Sequence, residues 1–191
     1  MKLRVASAFV AAALVMAACG GSASPKPSPT LVEGRTPGAE DATRSFEISE
    51  VGLGDEGYVT IHNYTDVASS LDALFLCQHD QCVDLPDTVV EPDASARVAV
   101  GDGTGIDDVV ETDAPLALTP ANGEIALFAT QDTDDSSAIR SYLQWGSTPH
   151  EMTDVAIKAG FWVVGGFAPS APYATRLWKT DANLWVWDPG T

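Results

Sequence analysis

The segment at residues 58–63 constrains the fold more than any other stretch of the chain. It reads Tyr-Val-Thr-Ile-His-Asn, follows a Gly-flanked acidic turn, and places Val59 and Ile61 on one side with Tyr58, Thr60 and His62 on the other. An alternation with period two predicts a β-strand with one buried face. Such a strand needs a second layer over its apolar side, so we expect at least two stacked sheets.

Further short strands are predicted between Gly, Pro, Asp and Asn turn residues, at 46–51, 71–77, 82–85, 89–90, 96–100, 124–129 and 139–145. No sustained helical period precedes Glu151. One short helix is predicted at 153–160, with Thr153 as its N-cap and Gly160 just past its end. Strands at this spacing favour an all-β fold, an antiparallel β-sandwich.

The N-terminus has the pattern of an export signal. Lys2 and Arg4 precede an apolar run at 5–17 that is too short to span a bilayer. The following Met-Ala-Ala-Cys resembles the bacterial lipoprotein signal, which implies removal of residues 1–18 and lipidation of Cys19. An ordinary secretory signal is the alternative. Residues 19–45, rich in Gly, Ser and Pro, are expected to form a flexible tether from the membrane.

The chain is strongly acidic, with a net charge of −17 that becomes −19 once Lys2 and Arg4 leave with the signal. Nucleic acid is therefore excluded as an expected partner, because binding it depends on Lys and Arg. Solubility is the favoured interpretation of this acidity. Weak surface binding of Ca²⁺ is the alternative, at the Gly-Asp loop of residues 101–108 or at 132–135.

Residues 46–145 resemble the lamin tail domain, an immunoglobulin-like β-sandwich found in nuclear lamins and in many exported bacterial proteins. The matching pieces are Ile-Ser-Glu-Val at 48–51, Tyr-Val-Thr-Ile-His-Asn at 58–63, 71–76, Leu-Pro-Asp at 85–87, Glu-Pro-Asp at 91–93, 98–100, Asn-Gly-Glu-Ile-Ala-Leu at 122–127 and Tyr-Leu-Gln-Trp-Gly at 142–146. The resemblance implies one immunoglobulin-like sandwich over residues 46–150. Residues 151–191 would be a C-terminal extension packed on it.

Cys77 and Cys82 flank the predicted turn at 78–81 in a chain that carries an export signal. A cross-strand disulfide is predicted, since that compartment permits one and Cys19 has another role. Closing so short a loop stabilises the fold by roughly 2 kcal/mol. A metal site using His79 between the two cysteines is disfavoured because it lacks a fourth ligand. We therefore predict no metal site and no cofactor.

Four of the five tryptophans lie in the C-terminal fifth of the chain, at Trp162, Trp178, Trp185 and Trp187. The sequence supports two interpretations of these tryptophans. The favoured one packs these rings against the sandwich as a lid or an additional edge strand. The other exposes them as an aromatic face for a glycan or a peptide.

No catalytic motif surrounds any of the three histidines, His62, His79 and His150. The expected function is therefore non-catalytic: a lipid-anchored binding or structural module on the extracytoplasmic face of the cell membrane, with an envelope protein or glycan as partner. A small enzyme is the rival from another class. It would need a cleft that brings a histidine and a carboxylate together in the fold.

Overall fold

The computed structural model describes residues 32–33, 46–54, 57–100, 109–112, 116–146, 149–168, 176–180 and 184–188. These ranges hold thirteen β-strands and one short α-helix, which confirms the predicted all-β class. In chain order they are β1 Val32–Glu33, β2 Phe46–Gly52, β3 Tyr58–Asn63, β4 Ser69–Ser70, β5 Phe75–Gln78, β6 Gln81–Asp84, β7 Val89–Val90, β8 Ser95–Ala99, β9 Val109–Glu111, β10 Gly123–Phe128, β11 Ile139–Trp145, α1 Thr153–Lys158, β12 Arg176–Lys179 and β13 Leu184–Trp187.

The strands form two main sheets and a small two-stranded one. The large sheet has the order β1-β13-β12-β2-β3-β8-β9, the small sheet has the order β11-β10-β5-β6, and β4 pairs with β7. Every described strand pairing is antiparallel except the parallel pair β8–β9. The architecture is sandwich-like, with the hydrophobic core between the two main sheets.

Strand β3 has the predicted alternation, since Val59 and Ile61 are buried and Tyr58, Thr60 and His62 are partly exposed. Its neighbour β2 contributes Ile48, whose backbone N–H donates to the Ser141 hydroxyl of β11 at 3.1 Å across the two layers. Burying each large aliphatic side chain of this kind contributes about 1.5–3 kcal/mol. The alternating pattern therefore specifies the core side of each sheet.

The outer face of the small sheet is covered by residues 149–168, which include α1. All six residues of β10 are buried because both sides of this strand are covered. Glu124 lies directly opposite Gln144 in the register, and Ala126 lies opposite Tyr142. The Tyr142 ring meets the ring of Trp162 edge-on, with centroids 5.4 Å apart.

Two local predictions were wrong. Residues 71–74 form a turn rather than a strand, with the Leu74 N–H donating to the Leu71 carbonyl, and β5 begins only at Phe75. Thr153 is the first residue of α1 and not its N-cap, because its hydroxyl is used by neighbouring side chains. Gly160 does follow the helix end. Its φ of 75° is the left-handed conformation for which glycine is the preferred residue at C′.

The C-terminal residues extend the large sheet. Strand β12 pairs with β2 and β13 pairs with β12, so the last described strands lie between β2 and the edge strand β1. None of the helices in the described ranges is long and apolar enough to cross a membrane.

Candidate metal centre

Three side chains that are distant in the sequence meet beside the small sheet: His79, Glu124 and His150. One ring nitrogen of each histidine and one carboxylate oxygen lie within 4.8 Å of one another. His79 belongs to the β5–β6 turn, Glu124 to β10, and His150 to the segment just before α1. Two imidazoles and a carboxylate form a ligand set that Zn²⁺ and other divalent transition metals use.

Glu124 is a fully buried carboxylate, with 0% of its side chain exposed. One oxygen lies 3.0 Å from His79 Nδ1, while the other accepts from the Tyr142 hydroxyl at 2.8 Å and from the Met152 N–H at 3.2 Å. In the part of the chain that the structure describes, His79 is the only basic side chain within ion-pair distance of it. A buried carboxylate costs several kcal/mol unless a cation or hydrogen bonds compensate it. The Tyr142 and Met152 hydrogen bonds and the His79 contact supply part of this compensation, and a divalent cation at the cluster would add to it.

A hydrogen-bonded network behind Glu124 holds the carboxylate in place. Burial, and secondly the charge of Glu124, raise the pKa of Tyr142 well above its ordinary value, so its hydroxyl stays protonated and can donate. The Thr153 hydroxyl donates to Gln144 Oε1 at 2.6 Å, and Gln144 Nε2 donates to the Gly166 carbonyl. Hydrogen bonds that hold metal-ligating side chains in this way orient the ligands, and losing one typically lowers metal affinity about 10–100-fold.

His79 adopts an unusual backbone conformation. It is the first residue of a two-residue turn between the paired residues Gln78 and Gln81, with a φ of 55°. This left-handed region favours glycine and costs other residues roughly 1–2 kcal/mol. Such conformations cluster at functional positions where surrounding contacts hold them, and here His79 contacts Glu124 at 3.0 Å. An imidazole at a turn position suited to glycine therefore points to a use for the ring.

His150 is oriented by contacts at both its backbone and its ring. Its N–H donates to the Thr153 hydroxyl at 2.9 Å, and its Nε2 lies 3.2 Å from the Trp145 carbonyl oxygen. The tautomer that donates from Nε2 leaves a lone pair on Nδ1. Metal-ligating histidines commonly donate their second N–H to a carbonyl in this way.

Sequence reasoning did not bring these three side chains together. It treated His79 only as a third group between two cysteines and predicted no metal ligands. The fold instead joins it to Glu124, 45 residues away, and to His150. Two signals were available in the sequence: a glutamate inside the otherwise apolar strand Gly-Glu-Ile-Ala-Leu-Phe, and a histidine within a tight turn. Neither identifies its partner, because the contact depends on how the sheet is covered.

The disulfide prediction is confirmed by a Cys77–Cys82 bond, whose half-cystines are directly opposed in β5 and β6. It lies one residue pair from the turn that carries His79. Because β6, among the described strands, pairs only with β5 at the edge of the small sheet, this bond helps to hold the turn. Cys19, the predicted lipidation site, lies outside the described residues.

The four C-terminal tryptophans divide into two groups. Trp162, Trp185 and Trp187 are buried at 5%, 3% and 8% exposure, whereas Trp178 on β12 is 39% exposed. Trp162 also donates from Nε1 to the Gly166 carbonyl. Three of the four rings therefore lie in the core, and only Trp178 presents a ring to solvent.

The third histidine, His62, lies in a chain of polar contacts on the large sheet. Its Nδ1 is 2.9 Å from the Ser95 hydroxyl and its Nε2 is 3.3 Å from an Asp93 carboxylate oxygen. The Asp93 side chain is 97% exposed. In hydrolytic triads the aspartate is buried, where it orients the histidine. The solvated Asp93 is poorly suited to that role.

The acidic loop at 132–135 uses two of its carboxylates locally. Asp132 accepts from the Asp134 N–H at 3.1 Å, and Asp135 accepts from the backbone and hydroxyl of Ser137. These bonds to Ser137 lower the pKa of Asp135. The other predicted acidic loop, at 101–108, lies outside the described residues.

Comparison with protein-family models, with curated proteins and with solved structures found no match to this chain. Functional inference therefore depends on the site itself.

Proposed function

We propose that this protein is a lipid-anchored, extracytoplasmic binding module of the cell envelope, and that the species it binds is a divalent transition-metal ion such as Zn²⁺. The observation that carries the proposal is the fully buried Glu124 carboxylate within 4.8 Å of nitrogens from His79 and His150. Zn²⁺ accepts nitrogen and carboxylate ligands at about 2.0–2.2 Å and favours such mixed sets. Ca²⁺ prefers oxygen ligands alone, so it fits this cluster poorly.

The anchor and the domain type are part of the same proposal. The Met-Ala-Ala-Cys motif supports lipidation at Cys19, and the Cys77–Cys82 disulfide suits an oxidising compartment. The lamin-tail motifs support an immunoglobulin-like arrangement of the sandwich. An envelope protein or glycan stays the expected partner of the tethered domain, and the partly exposed Trp178 is its candidate contact.

A small extracytoplasmic enzyme is the second candidate function. It is favoured by one observation, namely that a histidine beside a buried carboxylate also borders a surface depression. Three protein ligands leave a coordination position for water, as in catalytic zinc sites. Metal-dependent hydrolysis of a chromogenic ester, lost in Glu124→Gln, would support this candidate over binding alone.

Metal binding is tested on the full chain, expressed with its own signal and purified in detergent. We expect equilibrium dialysis to show one Zn²⁺ per chain at the cluster. His79→Ala and His150→Ala should each weaken it by about 100-fold or more, given that even outer-shell losses reach 10–100-fold. His62→Ala removes the one histidine outside the cluster and is the matched control. Equal weakening in all three variants would contradict the assignment.

The anchor is tested separately by cell fractionation. We expect the wild-type chain in the membrane fraction and Cys19→Ala in the soluble extracytoplasmic fraction, because durable attachment requires the acyl chains. Membrane retention of Cys19→Ala after high-salt washing would contradict lipid anchoring. It would leave the metal site untouched, since the two experiments are independent.

A further inference from the structure

A surface depression of about 360 Å³ adjoins the candidate metal centre. It is lined by Gln78, His79, Asp80, Gln81, Ala117, Thr119 and Asn122. His79 belongs both to this lining and to the metal cluster. A volume of this size lies at the lower end of the range that small-molecule sites occupy.

The cluster supplies three ligands, while Zn²⁺ and Co²⁺ in tetrahedral sites take four. No fourth Cys, His, Asp or Glu joins the cluster among the described residues. Glu124 is closed to solvent, with its second oxygen held by Tyr142 and Met152. His79, by contrast, is 40% exposed. The fourth position is therefore expected on the side of His79, where the depression lies.

The walls of the depression combine fixed and available polar groups. Gln78 Nε2 donates to the Ala117 carbonyl at 2.8 Å, and the Thr119 hydroxyl donates to the Asn122 carbonyl at 2.9 Å. These bonds fix the backbone around the rim. The side-chain amides of Gln81 and Asn122 have no hydrogen-bond partner among the described residues, and both residues are exposed.

The available groups have a definite chemical preference. Amide N–H groups donate well to a carboxylate, whereas Asp80 repels an anion and accepts from an ammonium or a hydroxyl group. On a protein this acidic, a carboxylate is attracted only if a bound cation offsets the surrounding charge. A ligand that carries a carboxylate and an adjacent amino or hydroxyl group satisfies the metal, the amides and Asp80 together.

We propose that the depression binds a small α-amino or α-hydroxy carboxylate, which completes the coordination of the metal beside His79. This inference rests on the proposed metal site. One carboxylate oxygen would take the fourth position on the ion, and Gln81 and Asn122 would donate to the carboxylate. The α-ammonium or α-hydroxyl group would donate to Asp80. Binding is therefore conditional on the metal.

The test uses the full chain loaded with Co²⁺, whose visible absorption bands report the coordination shell. We expect glycine and lactate each to shift the bands saturably, and propionate, which lacks the α-donor, to bind about tenfold more weakly. Gln81→Ala and Asn122→Ala should each weaken glycine about tenfold, the loss of one hydrogen bond, while leaving Co²⁺ affinity unchanged. Gln131→Ala, beyond the opposite end of β10, should bind glycine as the wild type does.

Four outcomes would overturn the inference. Co²⁺ bands that are insensitive to glycine and lactate would exclude a ligand at the metal while leaving the metal site intact. Equal affinity for propionate would exclude a contribution from the contact between the α-substituent and Asp80. Unchanged glycine affinity in both depression variants would place the ligand elsewhere. Absence of any Co²⁺ bands would refute the metal site itself, and the inference would fall with it.

Discussion

Replacing Glu124 by glutamine tests the metal centre through protein stability. The side chain keeps its size and an acceptor oxygen for the Tyr142 hydroxyl and the Met152 N–H. It loses the charge that a cation would bind. Glutamine removes the desolvation cost of the buried carboxylate, and the partner His79 is 40% exposed, so no buried charge is left unpaired. We therefore expect the metal-free variant to unfold within about 1 kcal/mol of the metal-free wild type.

The two proteins should differ once metal is added. A ligand at one hundred times its dissociation constant stabilises the native state by about 2.7 kcal/mol. For a chain of this length each kcal/mol raises the melting temperature by about 2–4 °C, so Zn²⁺ should raise that of the wild type by about 5–10 °C. The melting temperature of Glu124→Gln should rise by less than about 2 °C, because its affinity falls by two orders of magnitude or more.

The assay is a thermal melt followed by circular dichroism in matched buffers with a chelator or with free Zn²⁺. Glu91→Gln makes the same chemical change at an exposed carboxylate and should behave as the wild type does. A rise that is equal in wild type and Glu124→Gln would refute the reasoning. The ion would then be held elsewhere, for example by the acidic loop at 132–135.

Three further predictions concern the turn, the core and the pH dependence. His79→Gly should be more stable than His79→Ala by about 1 kcal/mol in chemical denaturation, because only glycine adopts the φ of 55° without strain; equal stability would show that the turn relaxes. Trp185→Ala should cost about 3–5 kcal/mol and Trp178→Ala roughly half as much, since the first ring is 3% and the second 39% exposed; the reverse order would contradict the burial of β13. Burial, and then a hydrogen bond to Glu50, raise the pKa of Tyr58 to about 12. The unfolded chain thus releases this proton near pH 10 and the folded chain only near pH 12. The stability that Tyr58 contributes is complete below pH 10 and is lost as pH rises to about 12. Tyr58→Phe should flatten that decline in urea titrations, and an unchanged slope would count against the shift.

Local features of the sequence determined much of the strand structure. The alternation around Val59 and Ile61 predicted β3 and its buried face, and the run at 139–145 predicted β11 with its limits. Cys77 and Cys82 predicted a hairpin and its bond. The predictions from these features are correct because strand faces and tight turns depend on residues only a few positions apart.

The burial of Trp185 and the hydrogen-bond partners of Thr153 depend on contacts with distant parts of the chain, so only the tertiary structure decided them. Trp185 has an amphipathic context that fits either an exposed platform or a core strand, and it is buried because β13 pairs beside β12 in the large sheet. Thr153 has the pattern of an N-cap, yet Gln144 and the His150 N–H use its hydroxyl. In each case a contact from another element overrides the local preference.

The candidate metal centre shows the same division. The sequence by itself determined that His79 lies in a tight turn and that Glu124 lies in an apolar strand. Only the packing of residues 149–168 over the outer face of the small sheet brings His150 to them and seals Glu124 from water. The physical reason is that a site built from three elements depends on sheet order and layer packing. Periodicity specifies which face of a strand is buried, but not what lies against it.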